Sequence, residues 1–311
     1  MIYRPLGNTG ITSSVIGLGT WNIGNQWGEL DDATAYSTVQ TAIDCGVNLL
    51  DTAESYGMPQ GLSEKRVGKA LAGIRHKVSL VTKIGNWGKE TTGLQVPLYN
   101  AEMIELCCHA SLHRLRTDYI DVYLCHLGDL APKRTDTFLE GFELLKKQGL
   151  IRAYGISTDD PEVLRRFNKN GTCQVVEVEY SMLSRGPEDN GILDYARENN
   201  MGVLIRAPLA KGFLAGKYNR ETVFEDSVRA RWNADGPNRD NFFTRMDKLD
   251  KIMELVPREE MAETAIRFAA SHPSSPVAIP GAKSAEQARF NAGVGDRIFT
   301  VEELAKFDAV K

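Results

Sequence analysis

Four residue types that together can move a proton to or from a carbonyl oxygen stand at the ends of three successive apolar runs. The first run ends in Asp51-Thr52-Ala53-Glu54-Ser55-Tyr56-Gly57, the second in Thr82-Lys83-Ile84-Gly85, and the third in Cys125-His126-Leu127-Gly128-Asp129. A lysine at the end of an apolar strand is costly to bury unless a carboxylate pairs with it, and Asp51 on the neighbouring run is the natural partner. A charged lysine beside a phenol stabilises the phenolate, so Lys83 is expected to lower the proton affinity of Tyr56 from its usual value near 10. His126 adds a hydrogen-bonding group for the same substrate oxygen. Such a set donates a proton to a carbonyl, or takes one from an alcohol, while a hydride moves on the other side.

Those residues need a frame that brings consecutive strand ends together. Apolar runs at Val15–Gly19, Asn48–Asp51, Val78–Thr82, Ile120–Cys125, Ile151–Ile156, Gln174–Glu179, Val203–Ala207 and Pro276–Ile279 read as strands. Helical patterns fall between and after them, at Asp32–Cys45, Ser63–Leu71, Ala101–Leu115, Thr135–Lys147, Pro161–Asn168, Gly191–Glu198, Arg258–Ser271 and Ser284–Asn291. Asp31/Asp32 and Asp160-Pro161 supply helix starts, and Gly46, Gly149 and Gly202 stand just past helix ends. Eight strands alternating with eight helices predict a closed parallel (β/α)8 TIM barrel, one domain over residues 1–311, whose function gathers at the C-terminal strand ends. Tyr3–Ser13, with Asn8-Thr9-Gly10 as its turn, predicts a hairpin that plugs the other end. Residues 218–256 predict an inserted loop with its own helix after the seventh strand.

Composition excludes other classes. With 37 Lys+Arg against 41 Asp+Glu the net charge is -4, which offers no basic surface for nucleic acid or anionic membrane. The five scattered cysteines, Cys45, Cys107, Cys108, Cys125 and Cys173, read as reduced thiols rather than a disulfide framework. No apolar stretch reaches the ~20 residues of a membrane span, and Met-Ile-Tyr-Arg-Pro is not a signal peptide. A soluble, cytoplasmic enzyme acting on a small molecule is expected. His109 and His113 share a helix face at i,i+4, but without the acidic neighbour that a zinc-protease helix requires no metal is assigned.

The sequence resembles the aldo-keto reductase family. The motifs that carry the resemblance run in family order: Gly19-Thr20-Trp21 within Gly-x-Gly-Thr-Trp, Asp-Thr-Ala-x-x-Tyr-Gly from Asp51, Val-Thr-Lys ending at Lys83, His126, Gly-Ile-Ser ending at Ser157, Pro-Leu-Ala-x-Gly-x-Leu-x-Gly-Lys-Tyr over 208–218, and Ile-Pro-Gly-Ala-Lys-Ser over 279–284. The resemblance implies NADP(H) as cofactor and Asp51, Tyr56, Lys83 and His126 as a catalytic tetrad, with Tyr56 the general acid/base. It further implies cofactor contacts from Gly19, Thr20, Trp21, Asp51, Ser157, Thr158, Glu177 and Arg206. The segment Pro208, Leu209, Lys211, Gly212, Leu214, Gly216 and Lys217 would face the pyrophosphate. Gly281, Lys283, Ser284, Gln287 and Asn291 would hold the adenosine end, with Lys283 meeting the 2′-phosphate that NAD lacks. Trp21, Trp27, Tyr56, Trp87 and His126 are the expected substrate wall.

Four positions depart from the family pattern. Thr158 replaces an Asn, Glu177 a Gln, Arg206 a stacking aromatic, and Phe290 an acidic residue. Glu177 and Arg206 close adjacent strands, so they are expected to form a compensating ion pair. Two other readings compete. A metal-dependent barrel isomerase or lyase would use Glu54, Glu177, Glu179 and His126, and would lose activity in chelator. A redox sensor that holds NADP without useful turnover would bind cofactor tightly and act on no carbonyl.

Overall fold

The computed structural model describes residues 1–87 and 100–311. Val/Ile/Leu-rich segments pair in parallel, and each is followed by a helix that covers its outer face. A small antiparallel pair comes first, β1 (Tyr3–Pro5) with β2 (Thr12–Ser14). Eight parallel strands follow: β3 (Leu18–Gly19), β4 (Leu49–Asp51), β5 (Ser79–Ile84), β6 (Ile120–Cys125), β7 (Ile151–Ser157), β8 (Val175–Glu179), β9 (Gly202–Arg206) and β10 (Val277–Ala278). They are neighbours in chain order. The two ends meet through parallel bridges Ile16↔Ala278 and Gly19↔Gly281, with Gly17 N donating to Ala278 O at 2.8 Å. The sheet therefore closes into the expected barrel.

The helices of the outer ring are α1 (Asp32–Asp44), α2 (Leu62–Ala70), α3 (Ala101–Leu115), α4 (Pro132–Lys147), α5 (Pro161–Phe167), α6 (Ile192–Glu198), α7 (Arg239–Met253), α8 (Met261–Ala270) and α9 (Ala285–Gly293). Asp31 caps α1 through Thr34 N, Asp160 caps α5 through Glu162 N, and Ser284 caps α9 through Gln287 N. The inserted segment contains α7, as the sequence predicts. Observed strand and helix ends lie within a few residues of the expected ones. The largest differences are three residues: the strand expected from Val15 starts at Leu18, the helix expected from Arg258 starts at Met261, and the helix expected from Thr135 starts at Pro132, which needs no N–H partner in the first position.

The core divides where the sheet divides it. One apolar cluster fills the barrel with Leu49, Val81, Val122, Leu124, Ala153, Val175, Leu204, Val277 and Ile279. Leu6, from the hairpin turn, joins the same cluster, so the hairpin does plug the N-terminal end. A larger cluster lies between strands and helices. Side chains alternate along a strand, so each interior apolar residue has the next interior position two residues on. Above Leu49 stands Asp51, above Val81 Lys83, above Leu124 His126, above Val175 Glu177, and above Leu204 Arg206. Period two thus turns Asp51, Lys83, His126, Glu177 and Arg206 inward toward the C-terminal mouth, while Tyr56 reaches it from the loop after β4. Among the described residues, no helix is long and apolar enough to cross a membrane.

Candidate active site

A cavity of about 500 Å³ opens at that mouth. Its floor and walls include Gly19, Trp21, Trp27, Asp51, Tyr56, His126, Ser157 and Arg206, then Pro208, Leu209 and Lys211, then Gly281. Asn22, Ser55, Asn86, Gly128, Ala207, Ile279 and Pro280 also line it and were not anticipated from the sequence. Ala207, Ile279 and Pro280 lie at or just past expected strand ends, whereas Asn22, Ser55, Asn86 and Gly128 lie three or four residues beyond them, in turns that strand alternation does not reach.

The four expected proton-transfer residues converge. Lys83 has no exposed surface, and its ammonium donates to Asp51 Oδ1 at 2.5 Å, to the Thr52 carbonyl at 3.0 Å and to Tyr56 Oη at 3.4 Å. The loop between β3 and α1 braces the strand beneath, because Thr20 donates through both its N (2.9 Å) and its hydroxyl (2.8 Å) to the Asp51 carbonyl. Tyr56 is held between rings. Trp21 stacks on it with centroids 5.8 Å apart, and His126 meets it edge-on at the same separation. Trp21 is fixed in turn by Nε1–H donating to Gln26 Oε1 at 2.5 Å and by the edge of Trp27 at 5.1 Å.

Burial governs the charges here. Burial alone would strip Lys83 of its proton, but Asp51 and Glu177 outweigh it and hold the ammonium above the ordinary lysine range. Burial, then the Glu177 charge, push the Asp51 carboxyl up against the pull of Lys83. The sequence expectation for Tyr56 is corrected: burial raises the phenol above its usual value, and Lys83 only partly offsets this. The hydroxyl therefore rests protonated, as a proton donor to a carbonyl must be.

The expected Glu177–Arg206 pair is also corrected. Parallel register sets Glu177 opposite Leu204 and Glu179 opposite Arg206. Arg206 Nη1 accordingly donates to Glu179 Oε2 at 2.7 Å, and its other amino group pairs with Asp159. Glu177 instead faces Lys83, with Oε2 3.2 Å from Nζ, and accepts the Ser157 hydroxyl at 3.1 Å. Both arginine and carboxylate are partnered, but not with each other.

Several other expected contacts are spent on the scaffold. The Thr20 hydroxyl is committed to Asp51, and that of Thr158 to the Gly128 carbonyl at 2.6 Å. A Cβ at Gly212 would lie 2.2 Å from the Tyr218 hydroxyl, and one at Gly216 2.7 Å from the Arg258 carbonyl, so both glycines are required by the fold of their own loop. Leu214 is buried in the outer core, and Lys217 is exposed. Trp87 does not line the cavity. Its ring covers the Arg114 guanidinium at 4.9 Å, and its backbone N–H donates to Glu54 Oε1 at 3.3 Å.

The carboxylates of the metal reading point apart. Glu54 is tied to Gly85 N at 2.7 Å, Glu177 lies on Lys83 and Glu179 on Arg206. Burial pushes Glu54 up to about 7. Among the described residues, no three His, Cys, Asp or Glu side chains are grouped to hold a metal ion.

The residues of the cavity's other edge fit a nicotinamide dinucleotide. Ala207, Ala210 and Lys211 all have positive φ (53°, 48° and 58°), a strained conformation for non-glycine residues that turns Pro208, Leu209 and Lys211 along the wall. Gly19 and Gly281 bring two backbones together at the base. Lys283 forms no ion pair among the described residues. Its ammonium reaches only the Trp27 carbonyl, at 3.2 Å, and it stands just before the N-terminus of α9, where an anion is favoured. Gln287 and Asn291 hold this turn, Gln287 accepting from Lys283 N at 2.9 Å and Asn291 donating to Gly281 O at 3.3 Å.

Comparison with known proteins agrees with this geometry. The Aldo/keto reductase family model matches residues 15–311. An NADH-specific methylglyoxal reductase from Escherichia coli is 34% identical, over 92% of this chain and 91% of that protein. The holo form of an aldo-keto reductase from Bacillus halodurans superposes with a TM-score of 0.83 at 29% identity, covering 100% of this chain and 96% of that one. An aldo-keto reductase from Klebsiella pneumoniae in complex with NADPH gives a TM-score of 0.72 at 28% identity, covering 100% and 95%.

Proposed function

Since the chain belongs to the aldo/keto reductase family, we propose that it interconverts a small carbonyl compound and its alcohol with NADP(H), Tyr56 serving as the general acid/base. The observation that carries this reading is the fully buried Lys83 ammonium, 3.4 Å from a Tyr56 hydroxyl that faces the cavity. A bound nicotinamide cofactor would supply or accept the hydride. The chain supplies the rest. Tyr56 delivers its proton to the carbonyl oxygen in reduction and recovers it in oxidation. Lys83 and Asp51 fix the phenol's position and charge environment, and His126 holds the substrate oxygen against it. Trp21 and Trp27 exclude water and present an apolar wall. The cavity must admit the nicotinamide end as well as the substrate, which favours a small carbonyl.

NADP(H) is favoured by Lys283, a cation without a carboxylate partner among the described residues at the start of α9. The NADH-specific relative makes that preference a property to be measured rather than inherited. The test is a panel of short aldehydes, ketones and ketoaldehydes, with NADPH and NADH, followed at the nicotinamide absorbance. Turnover is expected for the small substrates, and Tyr56→Phe should lower it at least ~100-fold while cofactor affinity is retained. Retention of most activity in Tyr56→Phe would overturn the assignment.

A further inference from the structure

Two buried carboxylates face a single ammonium in the cluster beside Tyr56. The Lys83 ammonium has three N–H donors, and three acceptors take them: Asp51 Oδ1, the Thr52 carbonyl and Tyr56 Oη. Glu177 Oε2 faces the same ammonium at 3.2 Å without a hydrogen bond of its own among the described residues. Its side chain has no exposed surface, so solvent does not screen it. Asp51 and Glu177 share that single positive charge, and the Glu177 charge makes Asp51 costlier to ionise. Once both carboxylates are ionised, the cluster beside Tyr56 carries one uncompensated negative charge.

We propose that Glu177 is a positioning residue which, as a second counter-ion to Lys83, raises the proton affinity of Tyr56 and so sets the pH range in which each direction of the reaction runs. The inference rests on the carbonyl–alcohol reading above. Its physical basis is a competition of charges around one phenol. Facing Tyr56 are Lys83 from β5, Asp51 from β4, Glu177 from β8, and His126 from the turn after β6. Arg206 and Lys211 line the same cavity from the seventh barrel strand and the loop beyond it. Lys83 favours the phenolate. Burial opposes it most, and the Asp51 and Glu177 charges add to that opposition. Glu177 is the part of that opposition that can be removed without touching the phenol or the Lys83–Asp51 bond, and its Oε1 accepts the Ser157 hydroxyl at 3.1 Å.

Glu177→Gln tests this directly, because the amide keeps the shape, can still accept from Ser157 and loses the charge. Removing a negative charge stabilises phenolate over phenol. The rising alkaline limb for alcohol oxidation and the falling limb for carbonyl reduction should both move to lower pH by about one unit, tenfold in the acid constant. Glu177→Asp, which keeps the charge, should hold both limbs near those of the unmodified chain. If Glu177→Gln does not fold, Glu177→Met removes the same charge. The Tyr56 ionisation is also followed without turnover, as the phenolate difference spectrum of the chain minus that of Tyr56→Phe. The shift is expected there whether or not a given carbonyl is a substrate, so failure of the functional reading and failure of this inference are separate results. Limbs unmoved in both charge-removing variants, or moved equally in Glu177→Asp, would overturn the proposal.

Discussion

Lys83→Met isolates what the buried ammonium does for the fold as distinct from the chemistry. The substitution keeps the length of the side chain and removes the cation between Asp51 at 2.5 Å and Glu177 at 3.2 Å. Two carboxylates, 3% and 0% exposed, are left facing each other. Breaking a buried ion pair by removing one partner costs about 3–5 kcal/mol. Proton uptake by the stranded carboxyls lowers that cost, which makes it depend on pH. Burial and Glu177 already raise Asp51 while Lys83 is present, and without Lys83 the Asp51 carboxyl rises further. Groups whose folded value lies above the unfolded one stabilise fully below the unfolded value, and that stability is lost as pH rises through the folded value. The variant should thus lose about 3 kcal/mol or more relative to the unmodified chain near pH 8, and clearly less near pH 5. Urea unfolding at the two pH values measures this. Adding Glu177→Gln should recover a large part of the alkaline loss, since only one carboxylate then stays unpaired. An equal loss at both pH values, or no recovery in the double variant, would refute the reasoning. Carbonyl reduction should fall at least ~100-fold in the single variant even where it is folded.

Two further substitutions probe the other edge of the cavity. Lys283→Ala removes a charge-assisted contact of roughly 1.5–3 kcal/mol aimed at a phosphate that only NADP carries, so the ratio of NADP to NAD affinity should fall about tenfold or more in fluorescence titrations; equal loss for both cofactors would make Lys283 a structural residue. For Arg206, double-mutant cycles on thermal stability should give a coupling above ~1 kcal/mol with Glu179 and below ~0.5 kcal/mol with Glu177, and the reverse order would contradict the observed register.

The contrast between those two cycles shows what a sequence of this kind carries and what it does not. A strand fixes side-chain direction by period two, so once Leu49, Val81, Leu124, Val175 and Leu204 are recognised as interior, the inward placement of Asp51, Lys83, His126, Glu177 and Arg206 follows without coordinates. That is why the barrel, its hairpin plug and the inward strand-end residues are legible, whereas Tyr56, in the loop after β4, is found by its motif. The partner of each residue is not fixed that way. It depends on the stagger between neighbouring strands, and the β8–β9 register moves Arg206 up by one interior position, from Glu177 to Glu179. In loops even direction is unspecified: Trp87 turns out onto Arg114, while Trp27, in the loop after β3, turns in. The protonation of Tyr56 was misjudged for a different reason. The lysine that favours phenolate is visible as a residue type, whereas burial is a sum over the whole fold and is the larger effect. A charge read from sequence therefore identifies which groups act on a proton, and only the packed structure decides which of them prevails. At this site burial prevails over Lys83, and the two carboxylates on that ammonium act in the same direction as burial.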